Sequence, residues 1–248
     1  MISLAARAAV SVNELVRCGL IAFGLLAASC ASVPAARPGP AADALAHQLA
    51  RGMGERAWAA TGALTWRFAG GAKHLWDRRA NVDRQDFGET TVWIDLGTHQ
   101  GRVVEGGVEL AGPEKDAQLA KAYARWANDS FWLNPLAKLF DEGVTRMETA
   151  HMSDHLGARG LLIQYASGGV TPGDTYLWIV PPHGPPRHWR LWVSVLPMKG
   201  VEVSWDEWVR VETGVWIATA HRLGPLTVRI TELDAARDVD TLTRRARP

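Results

Sequence analysis

The sequence predicts an α+β protein, mainly antiparallel β, built as a curved open half-barrel of about eleven strands with helices packed on its concave face. Three observations lead there. Most of the chain alternates apolar and polar residues with a period of two. Helical periodicity is confined to two places, near residues 42–58 and 112–140. Glycine- and proline-bearing turns recur at the spacing of about 8–12 residues typical of meandering antiparallel sheets. A long antiparallel sheet with few helices must bury one face, and curling round those helices does so while limiting exposed edges.

In chain order, Ala42 to Trp58 reads as a helix. Leu45, Leu49 and Met53 recur every four residues, Arg51, Glu55 and Arg56 lie off that line, and Gly62 ends the segment. In ALTWRFAG, Leu64, Trp66 and Phe68 share one face of a strand and Thr65 and Arg67 the other. HLWDRRANVDRQ is largely polar and reads as a solvated strand. TTVWIDLGT continues the alternation, and QGRVVEGGVEL returns as its hairpin partner.

A helical insert follows. Pro113 sits at a first helical position, and Leu119, Ala122, Tyr123 and Trp126 form one amphipathic face. Asn128-Asp129-Ser130 is expected to break this helix. The next residues, FWLNPLAKLF, hold six large apolar side chains in ten positions. Asn134 and Pro135 can start a second short helix, Leu136, Leu139 and Phe140 stripe it, and Gly143 can stop it.

From Val144 to Leu233 the strands resume. DTYLWIV and HWRLWVSVL are apolar on both faces, with Leu177 and Ile179 opposed to Trp178 and Val180, so both faces should be covered.

The first thirty residues bear on location. Arg7 and Arg17 precede an apolar run from Cys18 to Ala28. That run is too short to cross a hydrocarbon layer, which takes about 20 residues, and reads as a secretory leader, residues 1–29. It ends Leu26-Ala27-Ala28-Ser29-Cys30, which resembles the bacterial lipobox. The resemblance implies that Cys30 is acylated and becomes the first residue of the mature chain, joining the protein to membrane lipid. Cysteine usage agrees. The only cysteines are Cys18 and Cys30, so the mature chain has no internal disulfide, and acylation removes an otherwise lone exported thiol. Ala31 after the cysteine, by likeness to enterobacterial sorting, implies the outer membrane, facing the periplasm. Residues 30–41, rich in proline and small residues, read as a flexible tether, 42–235 as a single domain, and 236–248 as a charged, disordered tail.

Composition argues against one partner class. The chain has 27 basic and 26 acidic residues; losing Arg7, Arg17 and Glu14 with the leader leaves the two in balance. No basic patch suited to nucleic acid appears outside the C-terminal tail. Twelve tryptophans are a surplus that fits a wide core, a binding cavity or a membrane-facing surface.

The acylated cysteine, tether, leading helix, meandering strands and helical insert together resemble the lipoprotein-localisation (LolA/LolB-like) superfamily. The phrases NDSFWLNPLAKLFDEGV (128–144) and TPGDTYLW (171–178) also resemble an uncharacterised group of bacterial outer-membrane lipoproteins. The resemblance implies an open half-barrel whose concave face, plugged by helices, holds hydrophobic cargo: a lipid, an acylated protein or another apolar molecule. Arg67 is the one residue to compare with the arginine that gates the carriers' cavity. The segment bearing Phe131, Trp132, Leu136, Leu139 and Phe140 is then a permanent plug or a movable lid, and Trp66, Phe68, Trp93, Trp178 and Trp192 are the wall candidates. An acyl chain of roughly fourteen to sixteen carbons gains on the order of 10 kcal/mol on leaving water, so a carrier must match it with apolar wall.

No nucleophile elbow, zinc-protease pair, phosphate loop or dinucleotide fingerprint occurs, and no cofactor is expected. His151, Asp154 and His155 have metal-ligand spacing only if helical, and the segment reads as a loop. The runner-up reading is a structural or interaction lipoprotein with a self-filled core. A third is an envelope enzyme using Asp174, His183 and His188.

Overall fold

The computed structural model of the chain describes residues 31–149, 155, 157–166 and 173–245. The leader and Cys30, most of the HMSDH segment and the first residues of TPGDTYLW lie outside the described residues.

The fold is α+β with two unclosed, wholly antiparallel sheets. The first holds β1 (Ala36–Arg37), β8 (Val144–Thr149), β9 (Arg159–Tyr165), β10 (Thr175–Val180), β11 (His188–Trp192) and β12 (Val201–Ser204), in that spatial order. The second holds β2 (Ala63–Phe68), β3 (Lys73–Asp77), β4 (Val82–Phe87), β5 (Thr90–Asp95), β6 (Gly101–Glu105) and β7 (Val108–Glu109) as a meander. Its other side carries β13 (Asp206–Arg210), β14 (Trp216–Leu223) and β15 (Leu226–Ala236), with β15 pairing β2. The sheets adjoin where β12 turns through Trp205 into β13, and the Arg222 N–H donates to Ser204 Oγ across that seam at 2.9 Å. β15 carries a register shift between Thr231 and Asp234, with Glu232 at φ 52, a bulge that bends the strand.

More strands form than the alternation predicted. The polar segment 74–85 is a hairpin rather than one strand, VEVSWDEWVR divides at Trp205, and β1 and β7 are two-residue edge strands.

Three helices pack on the concave side. α1 (Pro40–Met53) buries Leu45, Leu49 and Met53, the predicted stripe. Gly54, at φ 92, closes it in the left-handed conformation, its N–H reaching the Ala50 and Arg51 carbonyls, and α2 (Glu55–Ala60) restarts at an angle. The helix expected over 42–58 is therefore two. α2 ends at Ala60 with Thr61 extended, and Gly62, expected to end the helix, is glycine for a packing reason: a Cβ there would lie 2.0 Å from the Arg237 carbonyl oxygen.

α3 runs from Gly112 to Leu133, straight through Asn128-Asp129-Ser130. These residues break helices when their side chains compete for backbone groups. Here Asp129 is engaged elsewhere, accepting from Asn128 Nδ2 at 2.8 Å and meeting His74 Nε2 at 3.1 Å, so the backbone stays helical. Asn134 ends α3, and the short helix expected next is one 3₁₀ turn, Pro135–Lys138.

Two further expectations are corrected. Residues 236–248 are not an unstructured tail throughout. Asp238 caps α4 (Val239–Arg245) through the Thr241 N–H at 2.7 Å, Leu242 packs on Ala63 and Ala236, and Arg245 pairs with Glu212 and Asp234. Nor is 30–41 a free tether from Ala31 on. Trp192 Nε1–H donates to the Ala31 carbonyl at 2.7 Å, and Ala36–Arg37 pairs with β8. This segment lies on the outer face of the first sheet, where Ala36 and Trp192 pack with Leu162, Leu177 and Ile179. Trp178 and Val180 face the central core. Both faces of β10 are thus covered, as their composition required.

Candidate functional site

The concave face is a wall of aromatic side chains closed by the end of α3. Trp66 and Phe68 come from β2, Tyr176 and Trp178 from β10, Trp189 from β11, Trp205 from the seam and His221 from β14. Trp66, Trp178, Trp189 and Trp205 are all at most 1% exposed. Strand alternation puts them there: Trp66 and Phe68, and likewise Trp189, Leu191 and Val193, share one face.

Phe131 and Trp132, on the last turn of α3, fill the space between these strands. Trp132 lies 6.0 Å from Phe68, 5.2 Å from Trp189, 6.1 Å from Trp205 and 5.3 Å from His221, centroid to centroid. Phe131 lies 5.1 Å from Tyr176 and 5.9 Å from Trp189. These are the offset and edge-on separations at which aromatic pairs attract. Leu136 and Leu139, from the turn that follows, are buried in the same cluster. Phe131 and Trp132 are only half-buried, unlike the wall they cover.

Of the wall candidates, Trp66, Phe68 and Trp178 line the interior with Phe131, Trp132, Leu136 and Leu139. Trp93, Trp192 and Phe140 do not. Trp93 lies on the outer face, between the Arg84 and Arg102 guanidiniums at 5.5 and 5.3 Å, while its neighbours Val92 and Ile94 face inward. Trp192 shares the outer face with the N-terminal segment. Phe140 is 41% exposed, stacked on His47 at 4.4 Å with the Arg146 guanidinium at 4.7 Å. Arg67 also points away from the interior: its Nε meets Glu232 at 2.8 Å and it donates to the Gly71 carbonyl at 2.5 Å.

The interior leaves polar atoms without partners. Among the described residues, Nε1 of Trp66, Trp189 and Trp205 and both ring nitrogens of His221 make no hydrogen bond of acceptable geometry. Burial pulls the His221 pKa down to about 4, and the Ser204 backbone and Asp206, which oppose that, do not outweigh it. His221 is therefore neutral. In the unfolded chain it takes a proton below about 6.5, so its contribution to stability is complete above that pH and is lost as pH falls toward about 4. His221→Leu, which removes the titratable ring at little change in volume, is expected to change stability at pH 7 by less than about 1.5 kcal/mol. It should also flatten the acid side of a plot of melting temperature against pH.

Beside the plug lies a buried charge cluster. His74 on β3 stacks on Trp66 at 4.3 Å and 8°. Its Nδ1 meets Asp83 of β4 at 2.8 Å and its Nε2 meets Asp129 of α3 at 3.1 Å. Gln85 Nε2 donates to Asp83 and to the Ala122 carbonyl, and Arg125 donates to Gln85 Oε1 at 2.7 Å. Burial alone would drive the proton off His74, but the two carboxylates outweigh it and raise its pKa to about 9. The imidazolium thus holds the last turns of α3, and with them Phe131 and Trp132, to the β3–β4 hairpin.

Asp174 is buried and accepts from the Ser194 N–H at 2.8 Å, which fixes a turn. His188 stands 5.6 Å from His155, whose Nε2 meets Glu202 at 3.3 Å. Among the described residues no group of three or more histidine, cysteine, aspartate or glutamate side chains is placed to hold a metal ion, and no helix is long and apolar enough to cross a membrane.

No family model matches the chain, and no curated protein matches it. A solved structure described as a DUF1329 family protein from Desulfovibrio piger ATCC 29098 is similar at 11% identity, covering 80% of this chain and 93% of that one, with a TM-score of 0.41. A likeness that loose transfers neither residues nor function.

Proposed function

We propose that this chain is a membrane-anchored lipoprotein of the bacterial envelope, attached through acylated Cys30 on the periplasmic side of the outer membrane. It is a binder rather than a catalyst. Its ligand is a lipid or the acyl chains of another lipoprotein, taken into the concave face when the Phe131–Trp132 helix end withdraws. One observation carries this reading: a half-buried aromatic pair on a helix end covers a fully buried aromatic wall drawn from both sheets. The hinge is supplied by Asn134 and the 3₁₀ turn that follow. The unpartnered indole N–H groups and neutral His221 support it further, since ester or amide carbonyls entering with an acyl chain would accept from them. Neither this binding nor the anchoring requires a cofactor.

A second reading is favoured by the closeness of Trp132 to four rings. In it the plug is permanent and the protein a structural or interaction lipoprotein.

The full chain, expressed in a bacterial host and extracted from membranes, separates the two. Carrier function predicts lipid co-purifying in native mass spectra. It also predicts quenching of tryptophan emission by a nitroxide-labelled fatty acid, abolished by Leu136→Glu in a variant shown to remain folded by circular dichroism. Absence of both signals favours the permanent plug. Cys30→Ala is expected to abolish palmitate incorporation; unchanged labelling would end the anchor assignment.

A further inference from the structure

We propose that the loop between β11 and β12, residues 193–200, is a second membrane contact that lies against the lipid bilayer beside the anchored N-terminus. The juxtaposition rests on the reading of Cys30 as an acylated residue. The loop adds observations of its own.

The point at which the chain leaves the anchor is fixed on this loop. Trp192, at the end of β11, holds the Ala31 carbonyl through its indole N–H at 2.7 Å. Gly200, at the start of β12, lies under Ala31 so closely that a Cβ on it would stand 2.6 Å from Ala31 Cβ. Cys30 is one peptide unit further, about 3.8 Å between Cα atoms. On that reading the acyl chains are carried by the residue bonded directly to Ala31, which this loop holds.

The loop is greasy where such a contact needs it. Eight large apolar residues are exposed among those described. Three of them surround this junction: Val195 and Met198 in the loop, 40% and 39% exposed, and Val33, two residues past Ala31, 44% exposed. No acidic residue occurs from Val193 to Val201, and the one charge, Lys199, is positive. With no acidic group, nothing in the loop repels anionic headgroups. Trp192 is an amphipathic ring of the kind that settles at the membrane–water boundary.

The loop is also held in shape. The Ser194 N–H donates to buried Asp174, the Gly200 N–H to the Leu191 carbonyl at 2.8 Å, and Lys199 Nζ to the Val193 and Leu196 carbonyls. Its apolar tips are therefore presented without an ordering cost at the membrane. Anchor and loop together give two points of attachment, so the protein keeps a fixed face toward the bilayer instead of swinging on a tether.

The test uses the full chain, processed in a bacterial host and reconstituted into phosphatidylethanolamine–phosphatidylglycerol vesicles. Its only native cysteines are Cys18, lost with the leader, and Cys30, blocked by acylation, so one introduced cysteine takes an environment-sensitive fluorophore alone. Val195→Cys carries the label in the loop, and Val108→Cys, on the far edge of the second sheet, is the comparison site. The label at 195 is expected to be quenched by nitroxide-bearing lipid and shielded several-fold from aqueous iodide, with the reverse at 108. Equal iodide access at both sites, in protein whose intact mass shows acylation, overturns the loop contact and leaves the anchor standing. A free thiol at Cys30 overturns both.

Discussion

His74→Ala is expected to lower the free energy of unfolding by about 3–5 kcal/mol, the cost of stranding buried charge by removing its partner. His74 is wholly buried between Asp83 and Asp129, themselves buried. Taking away the imidazolium leaves two carboxylates facing each other with Arg125 as the nearby cation, while Asp83 Oδ1 already has no partner among the described residues. Urea unfolding followed by tryptophan emission reads the loss directly; a change below about 1 kcal/mol would mean the cluster is not charged as described. The same position controls pH dependence. The folded pKa of about 9 lies above the unfolded value near 6.5, so the stabilisation is complete below about 6.5 and is lost as pH rises toward 9, a loss on the order of 3 kcal/mol. His221 works in the opposite direction, losing its contribution on acidification. Wild-type stability from these two groups should therefore peak near pH 6.5, and His74→Ala should remove the alkaline limb alone.

The cluster also bears on function through its position. Asp129 precedes Phe131 by two residues and Trp132 by three on the same helix. Its bond to His74 therefore sets the orientation of the plug against the wall. A helix end tied at one point and followed by a 3₁₀ turn is where local opening should begin, because few backbone bonds must break to release it. In the proposed carrier, weakening the Asp129–His74 tie would favour the open, ligand-accepting arrangement.

Much of the fold was legible in residue patterns, and particular residues show why the rest was not. The stripe Leu45, Leu49, Met53 and the opposition of Leu177 and Ile179 to Trp178 and Val180 are single-element periodicities, and the structure keeps them. Trp93 and Trp192, two of the wall candidates, face outward in register with their polar neighbours. Trp93 shares a face with Thr91 and Asp95, and Trp192 with Arg190, leaving Val92, Ile94 and Trp189 to face inward. The charge cluster was illegible. In HLWDRRANVDRQ polar residues occupy both faces, so no period separates His74 and Asp83 from their solvated neighbours. The third member, Asp129, is 55 residues from His74 and sits in a tripeptide that reads as a helix breaker. Only tertiary packing, which gives Asp129 a buried cation to bind, turns that breaker into helix.

Trp132→Ala is expected to cost about 3–5 kcal/mol and, in the same molecule, to increase uptake of a fatty acid. The two effects have one origin. Trp132 packs against Phe68, Trp189, Trp205 and His221. Removing it withdraws attraction from four neighbours that are rigidly placed on strands, and strands collapse into a void less readily than loops. The resulting hollow is lined by apolar rings and by unpartnered indole nitrogens, a lining that accepts a small aromatic or an alkyl chain. Indole added to Trp132→Ala should therefore restore part of the lost melting temperature by mass action. A nitroxide-labelled fatty acid should quench the remaining wall tryptophans at lower concentration than in the wild type. If Trp132 were instead an ordinary core residue with no ligand path behind it, indole would rescue stability but the longer acyl chain would gain no access. If neither probe acted, the space would have closed, and the aromatic wall would be structural.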